Sequence, residues 1–350
     1  MRQTIGAAAL VAAVLCPICP GADDPAVSER VWAHPRTISV AAVQMEAELG
    51  EVERNLERSE RLVRQAFAKG ADWVVLPEMF TSAMAYHPKM LDAIRPSDGE
   101  LLQFLIRLAR EHKGVVGGSF LAFRDGNVYN TFALALPDGR TFFHDKDEPT
   151  LWENRYYVAG SDDGILDTPV GPVGSALCAE MFRTKTASRL FERVGIVLSG
   201  SCWWMSRDPD PTSIIDQGNR RILRSAPQNL ARMLGVPVVH ASHAGSFEGL
   251  GPGDESRPYR SRYLGETQII DGTGRVLARM GLDDGEGVIM ADVESGLMWK
   301  PRHPIPKHPW VERLPLLFLV QWLREAAQGR NYYRTTTLPY LTRTIGAKAP

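Results

Sequence analysis

From Ile38 to Val293 the sequence alternates short apolar runs with amphipathic stretches, and this alternation restricts the chain to an α/β architecture. The run ISVAAVQM predicts a buried strand. It feeds a helix over Glu51 to Lys69 that places Val52, Leu56, Val63 and Phe67 on one face. Trp73 to Leu76 predicts a second buried strand, closed by Pro77-Glu78. Ser97-x-x-Glu100 has the spacing of a capping box and opens a helix carrying Leu101, Phe104, Leu105 and Leu108. GVVGGSF and TFALALPDGRTFFHDK follow, the latter a hairpin turned by Pro137-Asp138-Gly139, with Lys146 directly after it. VGSALC and GIVLSGSC bracket a helical segment around Thr186 to Val194. A longer helix from Asn219 to Leu234 precedes the strand VPVVHASH, and TQIIDGTGRVLARM and GVIMADV close the pattern. Strands separated by helices pair in parallel and hairpins pair antiparallel, so the sheet is mixed.

The chain divides into an apolar leader and linker over 1–36, a single α/β unit over 37–300, and a C-terminal extension over 301–350. The leader reads Met1-Arg2, then an apolar stretch from Ile5 to Cys19, then GADDPAVSER with a small-x-small site at Ala26-Val27-Ser28. These features resemble a short secretion signal, and they leave export and a cytoplasmic location as equal readings. Gly245 to Arg262 has the glycine, proline and charge of a mobile surface loop, read equally as a lid or as plain disorder. The block from Leu314 to Leu323 is too short to cross a bilayer. It is expected to cover a subunit face or the core, with interfacial membrane contact the alternative.

With 40 basic and 41 acidic residues the net charge is -1, which provides no electrostatic footprint for nucleic acid. A small neutral or modestly charged substrate fits better. Of four cysteines, Cys16 and Cys19 lie in the leader, leaving Cys178 and Cys202 in the body, so the chain has no disulfide framework. The CxxC spacing of Cys16 and Cys19 lacks a second ligand pair and reads as incidental.

Four residues carry the candidate chemistry. Cys178 ends an apolar run, the ordinary place for a small buried hydrophobe, and a thiol with an unperturbed pKa is mostly protonated at neutral pH. As a nucleophile it needs a base to take its proton or a cation to favour the thiolate. Glu78, between apolar neighbours in LPEMF, can be the base, because desolvation raises a carboxyl pKa toward working pH. Lys146 can be the cation. It lies in the charge run HDKDE, otherwise read as a solvated face, and is followed at a fixed offset by Glu153 in LWENRYY. An ammonium and the backbone N–H of Ala179 would stabilise an anionic tetrahedral intermediate. Phe80, Tyr86, Trp203, Trp204 and His240 are candidates for the pocket wall. His240 and His243 are three apart on a strand, where their rings point to opposite faces, which argues against a metal pair. The chemistry needs no metal and no organic cofactor.

LPEMF, K-D-E-P-T-L-W-E and TPVGPVGSALCAE resemble the three sequence blocks of the nitrilase superfamily of carbon-nitrogen hydrolases, over roughly Thr37 to Val293. The resemblance implies a four-layer α-β-β-α sandwich, Glu78 as general base, Lys146 as oxyanion lysine, Cys178 as nucleophile, Glu153 as supporting glutamate, and homodimers or larger assemblies. The K-x-x-P-T-x-x-E spacing and Cys-x-Glu look more like the nitrilase branch than the amidase branches. That branch carries tryptophan directly after the cysteine, where this chain has Ala179, so the headgroup stays open between amide and nitrile. The leading expectation is a thiol hydrolase of small amides or nitriles. An N-acyltransferase using the same acyl-enzyme and a non-catalytic binding protein on the same fold are the alternatives.

Overall fold

The computed structural model describes residues 35–346 other than 211, 252–253, 297–298 and 312–315. The leader, with its CxxC pair and small-x-small site, lies outside the described residues, as does part of the Leu314 to Leu323 block.

The central strand is β1 (Arg36–Met45). It pairs in parallel with β2 (Trp73–Val75), and its last residues pair in parallel with β9 (Val238–His243). Its length is zipped antiparallel to β14 (Gly287–Ser295), from Arg36↔Ser295 to Gln44↔Gly287. Outward from β2 come β3 (Val115–Arg124), β4 (Asn127–Ala135) and β5 (Thr141–Asp145). Outward from β9 come β8 (Ile196–Ser201), β7 (Gly171–Ser175) and β6 (Ile165–Thr168), so the strand order is β5-β4-β3-β2-β1-β9-β8-β7-β6.

Alternation along β1 shows how the layers stack. Ile38, Val40 and Ala42 join Val75, Phe132, Val173, Leu198 and Val239 in a core between sheet halves, while Ala41, Val43 and Met45 face a second core on the helical side. The edge strands β5 and β6 approach each other, so the sheet nearly closes on itself and helices cover it from outside. This is the α-β-β-α sandwich that the family resemblance implies.

On the outer face α1 (Val52–Ala68) buries Val52, Leu62, Val63 and Ala66, with Leu56 and Phe67 packed partly buried beside them. Next to it, α2 (Glu100–His112) buries Leu101, Phe104, Leu105 and Leu108. The Ser97-Glu100 capping box does not form. Glu100 is already the first helical residue, Gly99 occupies the cap position, and no side chain bonds there. Beyond β7 come the short α3 (Thr184–Leu190) and then α4 (Ile214–Leu234), which starts five residues earlier than expected.

Gly245 to Arg262 is not an open loop: β10 (Ser246–Gly251) and β11 (Asp254–Arg262) pair antiparallel as a separate ribbon from Ser246↔Arg262 onward. Phe247, Tyr259 and Tyr263 anchor it through ring contacts, giving this polar sequence the apolar face that a ribbon needs. The hairpin β12 (Thr267–Ile270) and β13 (Val276–Met280) forms as predicted and joins the sheet through β9.

The C-terminal extension covers its own chain's core. Thr184 N and Val311 N donate to Pro309 O and Phe182 O at 3.0 and 2.8 Å, and α5 (Leu316–Tyr332) then crosses the turn Leu151–Arg155. A buried Arg155–Glu325 pair at 3.1 Å fixes α5 there. Gly329 permits the approach, since a Cβ on it would lie 2.5 Å from Asn154 Cβ. The last helix among the described residues is α6 (Leu338–Thr344). No helix among the described residues is long and apolar enough to cross a membrane.

Candidate active site

Glu78, Cys178 and the pair Lys146 and Glu153 come from three different loops at sheet ends and meet beside one cavity. Glu78 follows β2, where Leu76 N still donates to Gly117 O at 2.7 Å before Pro77 ends the ladder. The backbone of β8 presses against it. A Cβ on Gly200 would sit 2.5 Å from Glu78 N, so only glycine fits. From the other side Met79 N donates to Ser119 Oγ at 2.8 Å, and His243 Nε2–H donates to Glu78 O at 2.7 Å. Burial holds the His243 pKa down to about 4, so this ring is a neutral donor.

Lys146 is the first residue after β5. Its Nζ donates to Glu78 Oε1 at 2.9 Å and to Glu153 Oε2 at 2.8 Å, and all three side chains are buried. Burial alone would lower its pKa, but the carboxylates of Glu153 and Glu78 more than reverse that and hold it well above the ordinary lysine value. Glu153 sits on the 3₁₀ turn Leu151–Arg155, and its Oε2 also accepts Thr150 N at 2.7 Å and the Tyr157 hydroxyl. Glu78 accepts Asn130 Nδ2–H at 2.9 Å on Oε1 and Cys202 N–H at 2.9 Å on Oε2. Burial, reinforced by the charge of Glu153 and opposed by Lys146, raises the Glu78 pKa to about 7.

Cys178 opens a second 3₁₀ turn, Cys178–Phe182, after β7. Its φ of 49° is left-handed, as are those of Met79 (49°), next to Glu78, and Leu151 (51°), two residues before Glu153. Such conformations cost L residues about 1–2 kcal/mol each and persist where surrounding packing fixes the backbone. The turn thrusts the sulfur out of the sheet end, and Ala179 follows where first-turn N–H groups lack partners inside the helix. Burial first, then the negative charge of Glu78, pushes the Cys178 thiol well above its ordinary pKa, although Lys146 opposes this. The burial that raises the thiol pKa favours its protonated form, and Lys146 is already held by two carboxylates.

Behind the turn lies a second buried network. Glu180 accepts Leu177 N at 2.7 Å, Asp147 N at 3.1 Å, Arg189 Nη2 at 2.7 Å and His144 Nε2 at 2.9 Å. One carboxylate thus ties the cysteine turn to the lysine loop. Arg183 and Arg189 bind Asp147 at 2.6 and 3.2 Å, and Asp162 bonds the other nitrogen of His144.

The cavity in front of the sulfur has a volume of about 270 Å³ and is lined by Cys178, Ala179, Glu153, Cys202, Trp203 and Trp204, among others. Both tryptophans line this cavity. Phe80 is instead a core residue stacked near Phe104, because the left-handed Met79 turns the chain inward after Glu78. Tyr86 lies beneath Arg155 and meets Glu255, away from the cavity lining. His240 is buried between Ser201 Oγ at 2.9 Å and Glu266 O at 3.1 Å, a satisfied core histidine rather than a wall residue. Sequence reasoning missed Asn130, Tyr157 and the backbone of Cys202, whose roles depend on contacts between distant strands. It also missed Tyr259 and Trp322 of the lining. The Cys-x-Glu spacing was the visible signal for Glu180.

Residues 39–299 match the carbon-nitrogen hydrolase family model. The chain is 32% identical over 269 residues to an omega-amidase of Mus musculus, covering 72% of this chain and 87% of that protein. It is 24% identical over 273 residues to the 2-oxoglutaramate amidase of Bacillus subtilis, covering 77% and 95%. To an aliphatic nitrilase of Rhodococcus rhodochrous it is 26% identical over 282 residues, covering 75% and 76%. The solved structure of a carbon-nitrogen hydrolase from Helicobacter pylori G27 superposes with a TM-score of 0.63 at 20% identity, covering 73% of this chain and 89% of that one, a likeness of fold. The chain belongs to the carbon-nitrogen hydrolase family and is an enzyme that hydrolyses carbon-nitrogen bonds.

Proposed function

We propose that the protein hydrolyses a small amide or nitrile through a cysteine acyl-enzyme. The observation that carries this reading is the shared ammonium: Lys146 lies within 2.9 Å of both Glu78 and Glu153 at the rear of the cavity that Cys178 lines. Glu78, with its pKa raised to about 7, takes the thiol proton as sulfur attacks the substrate carbon. For an amide, the carbonyl π electrons move onto oxygen, and Lys146 with the Ala179 N–H stabilises that oxyanion. Collapse expels the nitrogen, which receives the proton from Glu78 and leaves as ammonia or an amine. Water then loses a proton to Glu78 and attacks the thioester, and the sulfur leaves with the carboxylic acid released. For a nitrile, one water adds before ammonia departs and a second water cleaves the thioester. Glu153 holds Lys146 in place, so it is a positioning residue.

The amidase and nitrilase relatives support both headgroups. Cys178→Ala is expected to abolish ammonia release from a panel of simple amides, carbamoyl compounds and nitriles while leaving the circular dichroism spectrum unchanged; ammonia release by the variant at the wild-type rate would reject the mechanism. Hydroxylamine added to the same reaction distinguishes acyl transfer, since hydroxamate in place of acid would favour the transferase reading. For assembly we retain a homodimer or larger oligomer as the proposal, and a monomeric mass in solution scattering would reject it.

A further inference from the structure

The far wall of the cysteine cavity is built by a part of the chain that the family match does not reach. Matching ends at residue 299, whereas Gln321 and Trp322 of α5 line the cavity. Trp322 is buried and braced, with its ring 5.4 Å from that of Trp310 and the guanidinium of Arg183 5.6 Å from its centroid. Trp310 in turn lies 5.7 Å from Phe182, four residues after the cysteine, and Phe182 stacks on Trp203 at 5.5 Å. The wall facing the sulfur is thus a continuous set of aromatic rings fixed from both chain segments. On the opposite side Trp204 stacks on Trp152 at 4.5 Å, so it too is held in orientation.

Charge is equally restrictive. Among the described residues that line this cavity, Glu153 is the single ionisable side chain with a formal charge at neutral pH, and it is negative. Lys146 sits behind it, held by two carboxylates. The nearby cations Arg207 and Arg324 line a neighbouring chamber that shares Trp204, Tyr259 and Gln321 with this one. A substrate carboxylate placed among the tryptophans would lose its water without meeting a cation, with only neutral polar groups such as Ser206, Asn219 and Gln321 to replace it. A flat apolar group would instead gain from burial and from ring contacts.

Resting on the hydrolase reading above, we propose that α5 forms the acyl-binding wall of the site and selects neutral amides or nitriles with an aromatic or similarly flat apolar acyl portion. The short dicarboxylate monoamide named for the Bacillus subtilis relative would then be a poor substrate. The enzyme's specificity is set by the extension as much as by the core.

The test uses the full chain and phenylacetamide, acetamide and 2-oxoglutaramate, with Cys178-dependent ammonia release as readout and calorimetric binding to Cys178→Ala as a second measurement independent of turnover. Phenylacetamide is expected to exceed 2-oxoglutaramate in kcat/KM by about tenfold or more, in line with the discrimination that buried apolar contacts supply. Trp322→Ala is expected to lower the phenylacetamide-to-acetamide ratio of kcat/KM by about tenfold or more. Because that variant removes a braced ring, Ile215→Trp provides a second probe. Ile215 lines the cavity yet is 67% exposed, so the larger side chain narrows the mouth without disturbing the core, and the same ratio should fall. A preference for 2-oxoglutaramate, or equal losses on both amides in both variants, would overturn the inference while leaving the hydrolase reading intact. Binding of phenylacetamide to Cys178→Ala with no turnover of any of the three by wild type would instead count against the hydrolase reading and keep the wall.

Discussion

Glu180 Oε2 lies 2.9 Å from His144 Nε2, and both side chains are buried behind the cysteine turn. Burial would lower the His144 pKa, but Glu180 and Asp162 raise it to about 10. A histidine raised in the folded state adds stability that is complete below its unfolded pKa of about 6.5 and is lost as pH climbs to the folded value. The resistance of the wild type to urea is therefore expected to fall between about pH 6.5 and 10, and His144→Gln should flatten that slope. An unchanged slope in the variant would show that the histidine is neutral in the fold.

Glu180→Gln keeps shape but puts an NH₂ group where donors already converge. Leu177 N, Asp147 N, Arg189 and His144 cannot all be satisfied by one amide oxygen. The expected loss is about 3–5 kcal/mol in unfolding free energy, as for breaking a buried charge network from one side, with a fall in kcat because the cysteine turn and the lysine loop lose their shared anchor. Wild-type stability and kcat would contradict this.

Glu78 bears on the pH profile. The base must be ionised to accept the thiol proton, and its pKa is raised to about 7 by burial and by Glu153. The kcat/KM of the wild type should therefore decline as pH falls below about 7. Glu78→Gln should lose about 10²–10⁴-fold in rate, the usual contribution of a general base, and abolish that acid limb. An acid limb that survives in the variant would assign it to another group.

Removing the ammonium exposes what it neutralises. Lys146→Met leaves Glu78 and Glu153 as two buried carboxylates with no cation between them. The expected cost is about 3–5 kcal/mol in chemical denaturation. Adding Glu153→Gln should recover part of that stability and none of the activity. Full stability in the single variant would mean that one carboxyl is already protonated.

Gly200→Ala isolates placement from chemistry. The new Cβ would stand 2.5 Å from Glu78 N, so the base must move although no functional group is deleted. A displacement near 1 Å costs about 10²-fold in rate, and kcat should fall by that order with KM nearly constant.

The sequence by itself determined the mixed α/β class, because strand and helix periods leave apolar side chains in fixed faces, while the four layers came with the family resemblance: Val40 and Val43 on β1 fall into opposite cores as period two demands. It also pointed to the four residues proposed for the chemistry, since their blocks are local and keep their spacing. Glu153 follows Lys146 on one loop and needs no distant partner to be found. What only the tertiary structure decided depends on contacts between segments far apart in the chain. Phe80, after a strand, and His240, near the end of one, read as wall residues, but the left-handed Met79 and the buried Ser201–His240 bond send both into the core. Gly245 to Arg262 reads as a loop because its apolar face consists of a few aromatic residues, and it becomes a ribbon once Tyr259 and Tyr263 find Trp152, Phe247 and His243. The role of α5 was beyond local pattern altogether: no periodicity tells that Gly329 will meet Asn154, or that Trp322 will face a sulfur 144 positions earlier.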